Sequence, residues 1–160
     1  MSTTTLAAPQ WLSDGEMRGW RAFAEVNHHL MAALEADLAP HGLTFGDYEV
    51  LVNLSEAENG RLRMCDLADG LGLSPSGLTR RLDGLVKAGY VARRPSSDDR
   101  RVTLATLTES GLALMRKASA DHLASVRRHL IDLLTEDQIK TLGDIFITIG
   151  HGLGRRTTIS

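Results

Sequence analysis

A stretch near the middle of the chain carries side chains whose types and spacing suit nucleic-acid recognition. Between Ser74 and Gly89, the residues Leu78, Leu82 and Leu85 recur at helical spacing and form one apolar stripe. At about 100° per residue, the opposite face carries an arginine, a lysine, hydroxyls and two glycines. Arginine can bond guanine in a major groove and hydroxyls can reach phosphates or base edges, although a merely solvated amphipathic helix would show the same pattern. The residues on this face and at its edges are Ser76, Gly77, Thr79, Arg80, Arg81, Asp83, Gly84 and Lys87.

This predicted helix is flanked on both sides by residues that favour helix ends. Ser74 can accept a free backbone N–H of the first turn, and Pro75 suits the first helical position, where no N–H is needed. Gly89 can take the left-handed conformation that ends a helix. A shorter apolar stripe over 67–71 precedes the helix, and Gly72 supplies a tight turn between the two. A short helix, a turn and a second helix with a polar outer face predict a helix-turn-helix.

The residues after this helix predict a hairpin with a charged tip. Segments 91–94 and 102–107 are β-branched or alternating, as strands are, and turn-forming and charged residues lie between them. Attached to a helix-turn-helix, such a hairpin is a wing. Its four arginines could be only a solvated turn, but their place beside a groove-reading helix favours DNA binding. They are Arg93, Arg94, Arg100 and Arg101.

Three motifs together give the chain a family resemblance. They are Leu-Ala-Asp-Gly-Leu-Gly-Leu-Ser-Pro-Ser-Gly-Leu-Thr-Arg at 67–80, Asp-Asp-Arg-Arg-Val at 98–102 and Leu-Thr-Glu-Ser-Gly at 107–111. In this order and spacing they resemble the MarR (multiple antibiotic resistance regulator) family of bacterial transcription factors, over about residues 14–152. The resemblance implies a mostly α (α+β) fold. It is a winged helix-turn-helix with a two-stranded wing, flanked by N- and C-terminal dimerisation helices.

The resemblance also implies how the chain acts. It implies a homodimer, most simply a repressor, that binds a palindromic operator in double-stranded DNA and is released by a small ligand. Arg100, at the wing tip, is expected to enter an adjacent minor groove, where negative potential attracts arginine. On the family's pattern, Asp98 orients Arg100 by a salt bridge. The DNA-binding residues expected on this basis are Ser74, Ser76, Gly77, Thr79, Arg80, Arg81, Lys87, Arg94, Asp98, Arg100 and Arg101.

A small-molecule site is a separate expectation. The resemblance implies a pocket between the dimerisation helices and the winged domain, where many relatives bind aromatic acids or other phenolic compounds. Five residues near that junction are candidates, and packing in the core or the dimer interface is the alternative account of them. They are Trp20, Arg21, His28, Phe45 and Tyr48.

Helices on both sides of the winged domain account for most of the remaining chain. Apolar spacing predicts a helix over 14–38 and a second helix that Thr44 caps. After the wing, a helix is predicted over about 108–134. Thr135 should open the last helix, with Gln138 at the position that completes a capping box.

These elements divide the chain into regions with different expected roles. Residues 43–107 form the winged DNA-binding region. Residues 14–40 and 108–152 form the helical dimerisation region, because they carry more apolar residues than one winged domain can bury. A flexible N-terminus is expected at 1–13 and a frayed tail at 153–160.

Charge is unevenly distributed along the chain. The 160 residues carry a formal net charge of −2, with +4 on residues 61–104 and −6 on the remainder. One basic surface should therefore lie on an otherwise acidic body. No stretch suits a secretion signal or a membrane span. One cysteine excludes an intramolecular disulfide, so a cytoplasmic protein without a membrane partner is expected.

Other residues that could carry chemistry have plainer interpretations. Cys65 stands near the start of the helix-turn-helix with no second cysteine, which favours an incidental role over redox sensing. The histidines lack convincing ligand spacing, so surface or interface positions are preferred to a metal site. Those considered are His28, His29, His41, His122 and His129. We expect neither a metal nor a cofactor.

Three function classes follow from these observations. The leading one is a sequence-specific DNA-binding regulator, and the second is a sequence-tolerant, nucleoid-type DNA-binding protein. The third is a reduced winged-helix relative of a methyltransferase. An enzyme is not expected, because the sequence has no nucleotide-binding glycine loop and no activated nucleophile arrangement. Only two helices follow the wing, which is too little for a catalytic domain.

Overall fold

Six α-helices and one small sheet make up the computed structural model, which describes residues 10–154. The helices are α1 (Asp14–Leu38), α2 (Phe45–Glu56), α3 (Met64–Leu71), α4 (Pro75–Lys87), α5 (Glu109–His129) and α6 (Glu136–Gly152). The strands are β1 (Arg61–Arg63), β2 (Val91–Pro95) and β3 (Thr103–Leu107). The flexible N-terminus expected at 1–13 and the frayed tail expected at 153–160 fall mostly outside the described residues.

Side-chain caps define where most of these helices begin. Ser13, Thr44 and Thr135 each accept the backbone N–H three residues on, and the side chain at that position accepts from the capping residue's own N–H. Ser74 caps α4 by accepting from the backbone N of Gly77 at 3.1 Å. The caps predicted for α2, α4 and α6 are therefore confirmed.

The wing belongs to a three-stranded antiparallel sheet with the strand order β1-β3-β2. Val91 pairs with Leu107 and Pro95 pairs with Thr103, so β2 and β3 form the predicted hairpin. The third strand, β1, has no counterpart in the prediction, because three residues are too few to show an alternation. It pairs with β3 and joins the wing to the start of α3.

The helix after the wing is shorter than predicted. α5 ends at His129, where a helix to about residue 134 was expected. The backbone of Leu130 leaves the helical region at φ −138° and ψ −63°, and a single 3-10 turn follows at Ile131–Leu133. Apolar residues continue the helical spacing through this break, which explains why the pattern misses it.

The core lies where α2, α3, α4 and the sheet meet α5. Burying one leucine side chain contributes about 1.5–3 kcal/mol, so this cluster fixes α4 firmly on the rest of the winged domain. The buried apolar residues are Leu38, Leu43, Tyr48, Val50, Leu51, Leu54, Leu67, Ala68, Leu78, Leu82, Leu85, Val91, Ala105 and Ala118.

α6 and the first half of α1 leave apolar surface uncovered. No residue of α6 is buried within the described chain, and Ile145, Phe146 and Ile149 are each about half exposed. The ring of Phe146 lies 6.3 Å from that of Phe23, which lies 6.0 Å from that of Trp20. No helix in the described part of the chain is long and apolar enough to cross a bilayer.

Candidate nucleic-acid interface

α4 turns its apolar stripe to the core and its polar face to solvent. Leu78 and Leu82 are fully buried. Two hydroxyls of the polar side are used within the helix, since Ser74 caps it and Oγ1 of Thr79 donates to the carbonyl of Pro75 at 3.0 Å. The helix therefore presents its predicted face at the surface. The exposed residues there are Ser74, Ser76, Thr79, Arg80, Asp83 and Lys87, and Gly77 is half-buried.

The two adjacent arginines of α4 have different surroundings. Arg80 is exposed, whereas Arg81 is half-buried. The guanidinium of Arg81 lies against α2 at Gly46, where a β-carbon would overlap it. Burial raises the pKa of the Glu49 carboxyl above its usual value, and the positive charge of nearby Arg81 offsets part of this increase. Arg81 therefore braces α4 against α2, and Arg80 projects into solvent.

The two arginines of β2 also differ, because successive side chains of a strand point to opposite faces. Arg94 is exposed. Arg93 turns toward α4, and its Nη2 donates to the carbonyl oxygen of Thr79 at 2.8 Å and to Oδ1 of Asp83 at 2.9 Å. Arg93 thus connects the wing to α4.

At the tip of the wing, the ion pair joins Arg101 and Asp99. The backbone N of Arg101 donates to Oδ1 of Asp99 at 3.0 Å, and its Nε donates to the same oxygen at 3.2 Å. These bonds hold the pKa of Asp99 below its usual value. The predicted salt bridge between Asp98 and Arg100 is wrong, because Asp98 accepts from the Ser97 hydroxyl and the carboxylate that faces an arginine across the turn is Asp99. Arg100 is exposed.

Thr108 joins the end of α4 to the start of α5. Its Oγ1 lies 2.7 Å from the carbonyl oxygen of Gly89 and 3.0 Å from that of Tyr90, and it accepts from the backbone N of Gly111. A β-carbon on Gly111 would overlap the Tyr90 carbonyl. Gly89 has the predicted left-handed conformation, with φ at 79°. The 107–111 motif therefore fixes the winged domain on α5.

The five predicted ligand residues fall into two separate groups. Tyr48 is buried, with its hydroxyl 3.0 Å from that of Ser119 on α5, and Phe45 is half-buried on the same helix as Tyr48. No hydrogen bond or ring contact among residues 10–154 links this pair to the remaining three. Those three, exposed on α1, are Trp20, Arg21 and His28.

His122 of α5 lies beside the first of these groups, although from the sequence it is considered only for a metal site and not for the ligand site. Its ring centre is 4.6 Å from that of Tyr48 and 5.9 Å from that of Phe45. Its Nδ1 is buried without a hydrogen-bond partner in the described part of the molecule, and burial lowers the pKa of His122. The signal that could have found it is its spacing from Ala118 and Ser125, which are both buried on α5.

α1 and α5 are joined by a polar cluster that the sequence pattern does not reveal. Oγ of Ser125 donates to Oδ2 of Asp37 at 2.5 Å, and Nη2 of Arg128 donates to the same oxygen at 2.6 Å. Nε2 of His129 lies 3.3 Å away from it. The bond from Ser125 is the main cause of the lowered pKa of Asp37, and the nearby positive charge adds to it. This cluster holds α5 against the long N-terminal helix.

The remaining histidine and cysteine contacts are pairwise. Nε2 of His41 lies 2.8 Å from Oδ2 of Asp121. Cys65 is exposed, with its Sγ 3.5 Å from a carboxylate oxygen of Asp66. Among residues 10–154, no three His, Cys, Asp or Glu side chains are grouped so that they could hold a metal ion.

Known proteins share this arrangement of helix-turn-helix and wing. The MarR family model matches residues 41–102. AbsC, a MarR family transcriptional regulator from Streptomyces coelicolor, is 46% identical, with a TM-score of 0.87 over 91% of this chain and 98% of AbsC. Sco3205, a MarR family transcriptional regulator from the same organism solved in complex with DNA, is 32% identical, with a TM-score of 0.88 over 94% of this chain and 95% of Sco3205. CouR from Rhodococcus jostii RHA1, solved with p-coumaroyl-CoA bound, is 27% identical, with a TM-score of 0.74 over 87% of this chain and 95% of CouR. The winged helix-turn-helix fold expected from the sequence is thereby confirmed, and the chain belongs to the MarR family of transcriptional regulators.

Proposed function

We propose that the protein is a homodimeric repressor that binds a palindromic operator through α4 and the wing. The observation that carries the proposal is the exposed outer face of α4 with Arg80 on it, beside a wing on which Arg94 and Arg100 are also exposed. Sco3205, which has the same fold, was solved in complex with DNA. Repression is the proposed sign, because an operator that overlaps the promoter would exclude polymerase.

The exposed basic residues suit different parts of the duplex. The fork of Arg80 matches the two acceptors of guanine in the major groove. Lys87, two turns further along α4, and Arg94, on the outer face of β2, suit phosphates. Arg100, at the wing tip, suits a narrow minor groove, where negative potential attracts arginine. Further candidates for contacts with the DNA backbone are the hydroxyls at the start of α4, and Arg101 on the wing.

The uncovered apolar face of α1 and α6 is the proposed dimer interface. Large apolar side chains there, such as Trp20, Phe146 and Ile149, are about half exposed within one chain. Exposed apolar patches of this kind commonly mark the contact site of a partner. A two-fold axis through this interface would place two copies of α4 about one helical turn apart on the DNA, as a palindrome requires. On this proposal 14–40 and 108–152 form the dimerisation region, and 43–107 the DNA-binding region.

We further propose that a small aromatic ligand relieves repression. CouR, which shares the fold, binds p-coumaroyl-CoA, a phenolic thioester. In this chain the aromatic group of Phe45, Tyr48 and His122 lies where α2 meets α5. A ligand that wedged between α2 and α5 there would shift the winged domain relative to the dimerisation helices. Trp20, Arg21 and His28 on α1 could join such a site only across the dimer or after a movement of α1.

Footprinting on the DNA upstream of the protein's own gene tests the main proposal. The expected result is a protected, two-fold symmetric site, bound at least about a thousandfold more tightly than a scrambled duplex of the same length. Equal affinity for both duplexes would favour a nucleoid-type protein and reject the repressor. Adding p-coumaroyl-CoA, or free phenolic acids, to the bound complex tests the effector, and an unchanged footprint at saturating concentrations would reject this ligand class.

A further inference from the structure

An open cleft separates the wing from α4 along part of their length. It encloses about 530 Å³ between α3, α4 and the wing strands, and Met64, Leu78 and Thr103 are among its lining residues. Val91, at the start of β2, is 2% exposed and packs in the core. Beyond Val91, apolar packing between β2 and α4 gives way to the cleft. The core alone therefore does not fix how far the outer part of the wing lies from α4.

Arg93 spans this cleft. Its Nη2 donates to the Thr79 carbonyl oxygen at 2.8 Å and to Oδ1 of Asp83 at 2.9 Å. These two acceptors are one helical turn apart on α4, so one guanidinium opposes both sliding and rolling of the wing against the helix. Thr79 directly precedes Arg80, the proposed base-reading residue. The contact therefore acts at the point on α4 from which Arg80 projects.

The surroundings of Arg93 argue against a direct contact with DNA. Its side chain is 29% exposed, and its charge is paired with that of Asp83. Its Nε is buried without a partner among the described residues, so the guanidinium is held inside the cleft at the cost of one unmade hydrogen bond. Arg94, its neighbour, is exposed on the opposite face of the strand, which suits the phosphate contact proposed for it.

We propose that Arg93 is a positioning residue for DNA recognition. By tying β2 to α4 through Asp83, it sets the distance between Arg80 in the major groove and Arg100 in the neighbouring minor groove. The two contacts then occur together on one duplex. This inference rests on the proposed function, and it adds a residue that contributes to specificity without touching DNA.

Two variants that change charge in opposite directions test the assignment. Arg93→Gln removes a positive charge, whereas Asp83→Asn removes a negative one, and both break the same ion pair. Arg94→Gln is the matched control, because it removes one positive charge from the adjacent residue. The full-length protein would be titrated by fluorescence anisotropy onto the duplex upstream of its own gene. That duplex would be made with A·T-rich and with G·C-rich flanks, and the titrations repeated across a salt series.

The expected result is that both ion-pair variants lose the preference for A·T-rich flanks. Their Kd on the A·T-flanked duplex should rise on the order of tenfold, although their charges change in opposite directions. Arg100→Ala should add little in either background, because the wing is already displaced. Arg94→Gln should keep the flank preference and flatten the salt dependence.

Three outcomes would overturn the assignment. The first is that Arg93→Gln weakens and Asp83→Asn strengthens binding with the flank preference intact, which would indicate a direct phosphate contact. The second is a lower melting temperature with unchanged flank preference, which would indicate a merely structural role. The third is a wild-type protein without any flank preference. Equal wild-type affinity for upstream and scrambled duplexes would instead reject the sequence-specific repressor, and the flank comparison would still test Arg93.

Discussion

Replacing Arg80 with alanine separates base recognition from general attraction to DNA. Arg80 is exposed on the outer face of α4, where its fork can bond both acceptors of a guanine. One such contact discriminates by about 1–3 kcal/mol. A two-fold dimer makes the contact twice, so Arg80→Ala should lose about 2–6 kcal/mol on the operator if the half-sites act independently. That corresponds to a loss of affinity of roughly 30-fold to 20,000-fold.

Arg81→Ala is the matched control for this experiment. It removes the same charge one residue away, but the Arg81 guanidinium lies against Gly46 of α2 and not in solvent. Its loss should lower the free energy of unfolding by about 1 kcal/mol, because packing between α4 and α2 is removed. Its effect on DNA affinity should be smaller than that of Arg80→Ala and similar for every sequence.

Both variants would be measured on the upstream duplex and on a scrambled duplex across a salt series. The ratio of the two dissociation constants should collapse for Arg80→Ala and persist for Arg81→Ala. If Arg80→Ala lowers affinity equally on the two duplexes and leaves that ratio unchanged, Arg80 does not read a base. A collapse of the ratio in Arg81→Ala alone would mean that the two arginines have been assigned the wrong way round.

Four other variants probe the interface, the fold and its pH dependence. Ile149→Glu places a carboxylate on the uncovered face of α6 and should give a monomer in sedimentation experiments; a dimer of unchanged affinity would contradict the proposed interface. Gly111→Ala drives a β-carbon into the Tyr90 carbonyl and should cost about 1–3 kcal/mol of unfolding free energy. Gly84→Ala, with nothing within 4 Å of the added methyl, should instead be neutral or stabilising by up to about 1 kcal/mol in the same urea titration. Burial lowers the pKa of His122 from its ordinary value of 6.5, so the unfolded chain takes up a proton first and stability should decline as the pH falls below that value. His122→Phe should flatten the decline in melting temperature, and an equally steep decline in the variant would show that other groups cause it.

Local signals in the sequence are sufficient to predict α4 and the hairpin of the wing. Helix caps such as Ser74 and Thr135 act on neighbouring N–H groups, so their effect is visible in a few residues of sequence. The apolar stripe of α4 and the hairpin of β2 and β3 are likewise set by short periodicities. For the same reason the break at Leu130 was missed, since apolar residues continue across it and only the backbone changes.

The contacts that distinguish similar residues depend on packing between distant segments. Periodicity places Arg93 and Arg94 on opposite faces of a strand, but only the tertiary fold shows that α4 covers the face of Arg93. Arg81 lies beside the apolar stripe of α4, and its contact with Gly46 depends on where α2 crosses. Asp37 meets Ser125 across 88 positions of sequence, and no local pattern records such a pair.

α6 has no buried residue within the described chain, so the proposed dimer would link the order of this helix to the presence of a partner. In the proposed dimer, the helix gains an interior only from the second copy, so stability rises with protein concentration by mass action. A newly made chain without a partner would expose α6 to proteases and would be cleared quickly, whereas a paired chain would persist. The lifetime of the repressor would therefore increase with its own abundance. Occupancy of the operator would follow the square of the monomer concentration, which gives a threshold for repression even when no effector is present.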